Sequence, residues 1–163
     1  MMYNEALPMP PRPELPDLEE GVIRGGYCLE SAVGEGPRIN LLGSGTILFE
    51  VIEAASRLRQ EGFAVAVYSI TSYIELARDA EQAENSKAAS WLSQLFDEPH
   101  VPTVAVSDYV RTLPRMIASW VPGPLVALGT DGFGMSERRE ALRAHFRIDA
   151  HAIAETARSL VKA

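Results

Sequence analysis

The sequence predicts an α/β domain in which a mostly parallel sheet carries helices on both faces. Three observations carry that prediction. Short apolar runs alternate with segments of helical period along most of the chain, the pattern of βαβ units. Glycine- and proline-containing turns mark the changes of period. The first strand signal is followed by a helix-free connection containing Gly34 and Gly36. A parallel crossover needs a dozen or more residues and usually a helix, so this first strand reads as an antiparallel edge.

Each element follows from local residues. Residues 1–20 hold Pro8, Pro10, Pro11, Pro13 and Pro16 and close on Asp17, Glu19 and Glu20. Proline at this density fixes φ and removes donors, so the stretch reads as an extended arm or linker, with residues 21–163 as the domain. The initial Met1-Met2 ahead of such an arm points to a boundary inside a longer protein. Residues 27–30 form the first strand, after Gly25-Gly26, and residues 38–42 the second, stopped by Gly43-Ser44-Gly45. Residues 46–60 are helical because Ile47, Val51, Ala54, Ala55 and Leu58 share one face. Residues 64–70, rich in valine and alanine, are a buried strand. Residues 72–96 are helical, with a break at Asn85-Ser86. Strands follow at 103–106 and 125–128, separated by a helix over 109–120 that tolerates Pro114 near its start. Helices over 136–146 and 150–162 take Ser136 and Asp149 as N-caps. The result is five strands, four of them parallel, with 38–42 central and 27–30 at an edge.

Composition limits the function. The 163 residues fit one domain, and 47% hydrophobic content marks a globular chain. A net charge of −7 repels phosphate backbones, and Arg138, Arg139 and Arg143 are interleaved with Glu137 and Glu140 as on a solvated helix face. Nucleic acid is therefore not an expected partner. No apolar run approaches the ~20 residues of a membrane span, so no membrane partner is expected, and the start lacks a signal-peptide pattern. The lone Cys28 forms no internal disulfide and fits a reducing cytoplasm; among strand residues with no adjacent base it reads as a buried, inert thiol.

Two loops stand out. Gly43, Ser44, Gly45 and Thr46 join a strand to a helix, where small residues permit close approach and free N–H groups can hold an anion. The reading preferred for this string is a plain strand-to-helix turn capped by Thr46 or Ser44; it has neither the lysine of a phosphate loop nor a full dinucleotide fingerprint. Asp131, Gly132, Phe133, Gly134 and Ser136 follow the last strand, where open α/β sheets place ligands. Phe133 suits an apolar hole, and Asp131 suits a metal or an arginine; the alternative is a structured loop docking on a neighbouring domain. His100, His145 and His151 lack metal-ligand spacing. No catalytic set emerges from the residues.

Longer strings are more specific. Residues 20–27 (EGVIRGGY), 41–48 (LLGSGTIL), 67–79 (VYSITSYIELARD), 105–109 (AVSDY) and 128–136 (LGTDGFGMS) occur in one order, followed by Arg143-Ala144-His145-Phe146 and Asp149-Ala150. With these strings the chain resembles the C-terminal region of bacterial homodimeric pyruvate dehydrogenase E1 components, thiamine-diphosphate enzymes of the transketolase group. Residues 80–98 depart from the family pattern, and Met135 stands where an arginine is usual.

The resemblance implies a three-layer α/β/α fold with a mixed five-stranded sheet whose first strand is antiparallel. It implies a cytoplasmic parent enzyme, a pyruvate or other 2-oxoacid dehydrogenase that acetylates the lipoyl group of an E2 acyltransferase core. Thiamine diphosphate and Mg²⁺ belong to that parent. No cofactor, metal or catalytic residue carries over to this chain, which is expected to be inactive alone. Its implied partners are the preceding E1 domains and a second E1 subunit. The alternatives are a free-standing ligand-binding α/β module and a separately encoded transketolase-like subunit.

Overall fold

In the computed structural model, residues 7–8, 10–96 and 98–162 are described. The sheet has five strands: β1 (Gly26–Glu30), β2 (Arg38–Ser44), β3 (Ala64–Ile70), β4 (Thr103–Val106) and β5 (Leu125–Leu128). Their order is β1-β3-β2-β4-β5, which makes β2 central and β1 an edge. β1 runs antiparallel to β3, with Gly26 opposite Ile70. The other pairings are parallel, with Arg38 opposite Ala64, Asn40 opposite Thr103, and Thr103 opposite Leu125. The expected five-stranded mixed sheet is the one observed.

Side chains of β2 alternate between two cores, as a strand period of two requires. Ile39 and Leu41 join Val65, Val67, Val104 and Val106 beneath α2 (Leu48–Gln60) and α7 (Ala150–Lys162). Leu42 faces the other way, with Ala66, Tyr68, Ile70 and Ala105, beneath α3 (Tyr73–Ser86) and α4 (Trp91–Leu95). β3 is buried at all seven positions, because helices cover both of its faces. Asp149 caps α7 as expected, its carboxylate accepting from Ala152 N–H at 2.9 Å.

Four local readings are corrected. The extended segment does not run to residue 20: α1 (Leu18–Arg24) begins two residues earlier. This helix is held from outside. Arg24 pairs with Asp79 at 2.7 Å and lies 4.7 Å from the Trp91 ring, while Gly25 O accepts from both Thr71 N–H and Ser72 N–H at 3.0 Å. The helix expected over 109–120 shrinks to α5 (Thr112–Arg115). Pro114 sits inside it and lacks a donor, and the chain continues in i→i+3 turns such as Ala118 N–H to Arg115 O and Trp120 N–H to Ile117 O. α6 (Arg139–His145) starts three residues after Ser136, so Ser136 caps nothing. A 3₁₀ turn (Gly45–Ile47) precedes α2, and the Ser44 hydroxyl makes no capping bond.

Candidate functional site

All four parallel strands end at the same edge, and the loops singled out from the sequence meet there. β2 ends on Ser44, β3 on Ile70, β4 on Val106 and β5 on Leu128. β2 connects to β3 on one side, while β4 lies on its other side, so the topological switch point falls between β2 and β4. A cleft of about 580 Å³ opens over it, lined by Ser44, Gly45, Ser69, Tyr73, Asp108 and Tyr109 among others.

The loop after β5 is pinned to the loop after β4. Thr130 N–H donates to Tyr109 O at 2.8 Å, and Thr130 Oγ1 donates to Asp108 O at 2.7 Å. Asp131 takes two bonds from Arg111, from its backbone N–H at 2.9 Å and from Nε at 2.6 Å. The backbone bond first, and the guanidinium second, hold the Asp131 carboxyl below its ordinary pKa. Close approach requires glycine at 129: a Cβ there would stand 2.4 Å from Tyr109 O. Gly43 is similarly confined, since a Cβ on it would stand 2.9 Å from Leu48 Cα. Gly45 and Gly132 have φ of 55° and 91°, the left-handed region that glycine enters freely.

Of the two uses considered for Asp131, pairing with an arginine is the one the structure displays. Phe133 fills no hole within this chain; at 95% exposure it projects from the edge, with Met135 also exposed. Gly134 and Ser136 are exposed as well. Exposed Ile74, Tyr109 and Val110 follow β3 and β4, so apolar surface gathers at this edge.

Inside the cleft the chemistry differs. The hydroxyls of Ser44 and Tyr73 are buried without a hydrogen-bond partner among the described residues. Burial also drives the Tyr73 phenol pKa strongly upward. Burial raises the Asp108 carboxyl pKa above its ordinary value, with Arg143 partly offsetting the effect. Arg143, read from sequence as part of a solvated face, is instead a brace. It donates to Glu50 at 2.7 Å and to Thr46 Oγ1 at 3.4 Å, and the other Glu50 oxygen accepts from Ala150 N–H at 2.8 Å. Glu50 flanks the apolar stripe of α2, three residues after Ile47 and four before Ala54, and nothing in the spacing tied it to Arg143.

His100, His145 and His151 are all exposed. No group of three or more His, Cys, Asp or Glu side chains able to hold a metal occurs among the described residues. Cys28 is half-buried rather than buried. No helix among the described residues is long and apolar enough to cross a membrane.

Together the sheet and its covering helices define an α/β/α domain with a mixed five-stranded sheet. The chain belongs to the transketolase-like TK C-terminal domain family, whose model matches residues 25–149. It is 40% identical over 157 residues to the pyruvate dehydrogenase E1 component of Escherichia coli, covering 90% of this chain and 17% of that protein. The corresponding protein of Corynebacterium glutamicum is 38% identical over 161 residues, covering 93% and 17%. The chain thus spans about 17% of the length of the curated relatives it matches. Among solved structures, a transketolase from Leishmania mexicana superposes with a TM-score of 0.63 at 23% identity, covering 88% of this chain and 19% of that one. A split-gene transketolase, described as an inactive β4 tetramer, gives 0.56 at 19% identity over 85% and 43%. At such identities the structural likeness speaks for the fold.

Proposed function

We propose that this chain is the C-terminal structural and assembly domain of a 2-oxoacid dehydrogenase E1, with pyruvate as the substrate of the whole enzyme. The observation that supports this reading is the 40% identity, over nine-tenths of the chain, to a pyruvate dehydrogenase E1 component of which it covers 17%. This reading is supported by the donor set: among the described residues no group of three or more His, Cys, Asp or Glu is placed to hold a metal, and Asp108 is the one carboxylate lining the edge cleft. We therefore assign thiamine diphosphate and the chemistry to the preceding E1 domains, and transfer of the acetyl unit to the E2 acyltransferase core. The whole enzyme is read as cytoplasmic.

The domain's own contribution is docking. The carboxyl edge presents Phe133 as an apolar anchor, with Asp131 held rigid by Arg111 beneath it. The preceding E1 domains or the second E1 subunit cover this edge. A central aromatic anchor contributes about 2 kcal/mol or more to an interface. In the full-length enzyme, Phe133→Ala should weaken subunit or domain association about thirtyfold by sedimentation, the equivalent of that energy. Intrinsic turnover of the assembled enzyme on pyruvate should change little. If Phe133→Ala and Asp131→Asn leave association unchanged while Asp131→Asn lowers kcat about a hundredfold, the loop belongs to an active site and the docking role is wrong.

A further inference from the structure

At the opposite, amino edge of the sheet lies a second cleft, of about 370 Å³, between β1, the starts of β2 and β3, and the segment after α4. Its volume falls in the range of small-molecule sites. Asn40 is one of its walls and is only 7% exposed. The Asn40 side chain shares a sheet face with Leu42, and its backbone N–H is committed to Pro102 O at 2.9 Å. The carboxamide itself has no partner among the described residues. Buried amides in folded proteins are almost always bonded, so an amide left open onto a cleft awaits what fills it.

The remaining walls narrow the ligand. Tyr68 and Phe96, with ring centroids 4.8 Å apart and each 5% exposed, touch the cleft with the edge of a buried aromatic pair. The exposed Gln94 adds a second carboxamide near the mouth. Arg38 and Glu98 also line the cleft, but they pair with each other and cancel. A carboxamide presents one donor and one acceptor side by side, and it matches a planar edge carrying the complementary pair, as asparagine does on adenine.

We propose that the Asn40 cleft binds a small, uncharged, planar ligand with an adjacent donor and acceptor, the edge shared by nucleobases and aryl carboxamides. The site lies away from the docking edge and does not depend on the assembly role above. The test is an NMR titration of the full chain with adenosine and, separately, nicotinamide. At least one should give saturable shifts at the side-chain amides of Asn40 and Gln94 and at Phe96. Asn40→Leu should weaken that binding about tenfold or more, the loss expected for a bidentate pair, without lowering the melting temperature. Gln94→Ala, at an exposed position where folding is safe, should weaken it by a smaller factor. Absence of saturable shifts with both probes, shifts at other residues, or affinity unchanged in Asn40→Leu and Gln94→Ala would each overturn the proposal.

Discussion

Removing the Glu50 carboxylate should loosen three elements at once. One of its oxygens accepts from Arg143 of α6, and the other accepts from Ala150 N–H at the start of α7, at 2.7 and 2.8 Å. The side chains are 22% and 14% exposed for Glu50 and Arg143, so water replaces these contacts only in part. In Glu50→Ala the guanidinium loses its hydrogen-bonded carboxylate and keeps only the electrostatic influence of Asp108, and the first turn of α7 loses an acceptor. A bond to a charged group is worth about 1.5–3 kcal/mol, and removing one partner of a fully buried ion pair costs about 3–5 kcal/mol. Partial exposure places this case near about 3 kcal/mol. At about 2–4 °C per kcal/mol for a chain of this size, the melting temperature should fall by about 6–12 °C. Glu50→Gln retains the shape and one acceptor and should lose about half as much. A double-mutant cycle with Arg143→Met, read by urea denaturation, should give a coupling of about 1–2 kcal/mol. A melting temperature for Glu50→Ala within about 2 °C of the unmodified chain, less than 1 kcal/mol, would refute the brace and return Arg143 to the solvated face.

Other outcomes follow from the same edge. Gly129→Ala places a methyl 2.4 Å from Tyr109 O, a backbone atom that cannot swing away; overpacking of this kind should cost about 2 kcal/mol or more in denaturant melts. Asp108 binds its proton more tightly folded than unfolded, because burial raises its pKa. Its contribution to stability therefore falls as pH rises from the unfolded value, about 3.9, through the folded one, and Asp108→Asn should remove that slope from a pH series of melts. Asp131 has the opposite sign: its depressed pKa gives a contribution present above the unfolded value and lost as pH falls through the folded one. An NMR titration should place its midpoint below the ordinary aspartate range.

Strands were legible where burial is complete. Ala64–Ile70 has no exposed residue, so an uninterrupted apolar run and a two-sided core are the same fact seen twice. The antiparallel edge was legible because a short helix-free link leaves no other geometry. Helix α1 was not, since its stability comes from Asp79, Trp91, Thr71 and Ser72, all far away in sequence. The truncated α5 shows a proline overruling helical spacing. At the site, the glycine loops announced themselves by residue type, but the residues that fix them did not. Arg111 and Arg143 sit in ordinary charged surroundings in the sequence, and only tertiary contact distinguishes them. Asn40 looks like an interruption of an apolar strand until the strand's neighbours are in place.

The antiparallel direction of β1 also decides where incoming polypeptide arrives. Gly26, the first residue of β1, lies opposite Ile70, the last of β3, so the chain enters the sheet at the carboxyl edge and not at the amino edge. Any segment leading into α1 is tethered at the β1 side of that same edge, across the sheet from β5, whose following loop carries Phe133 and Asp131. A contact made through such a tether works against a local concentration of about millimolar rather than that of the free partner. A small patch can then stay covered in an intact enzyme even though the same patch, on a separated domain, would hold its partner only fleetingly.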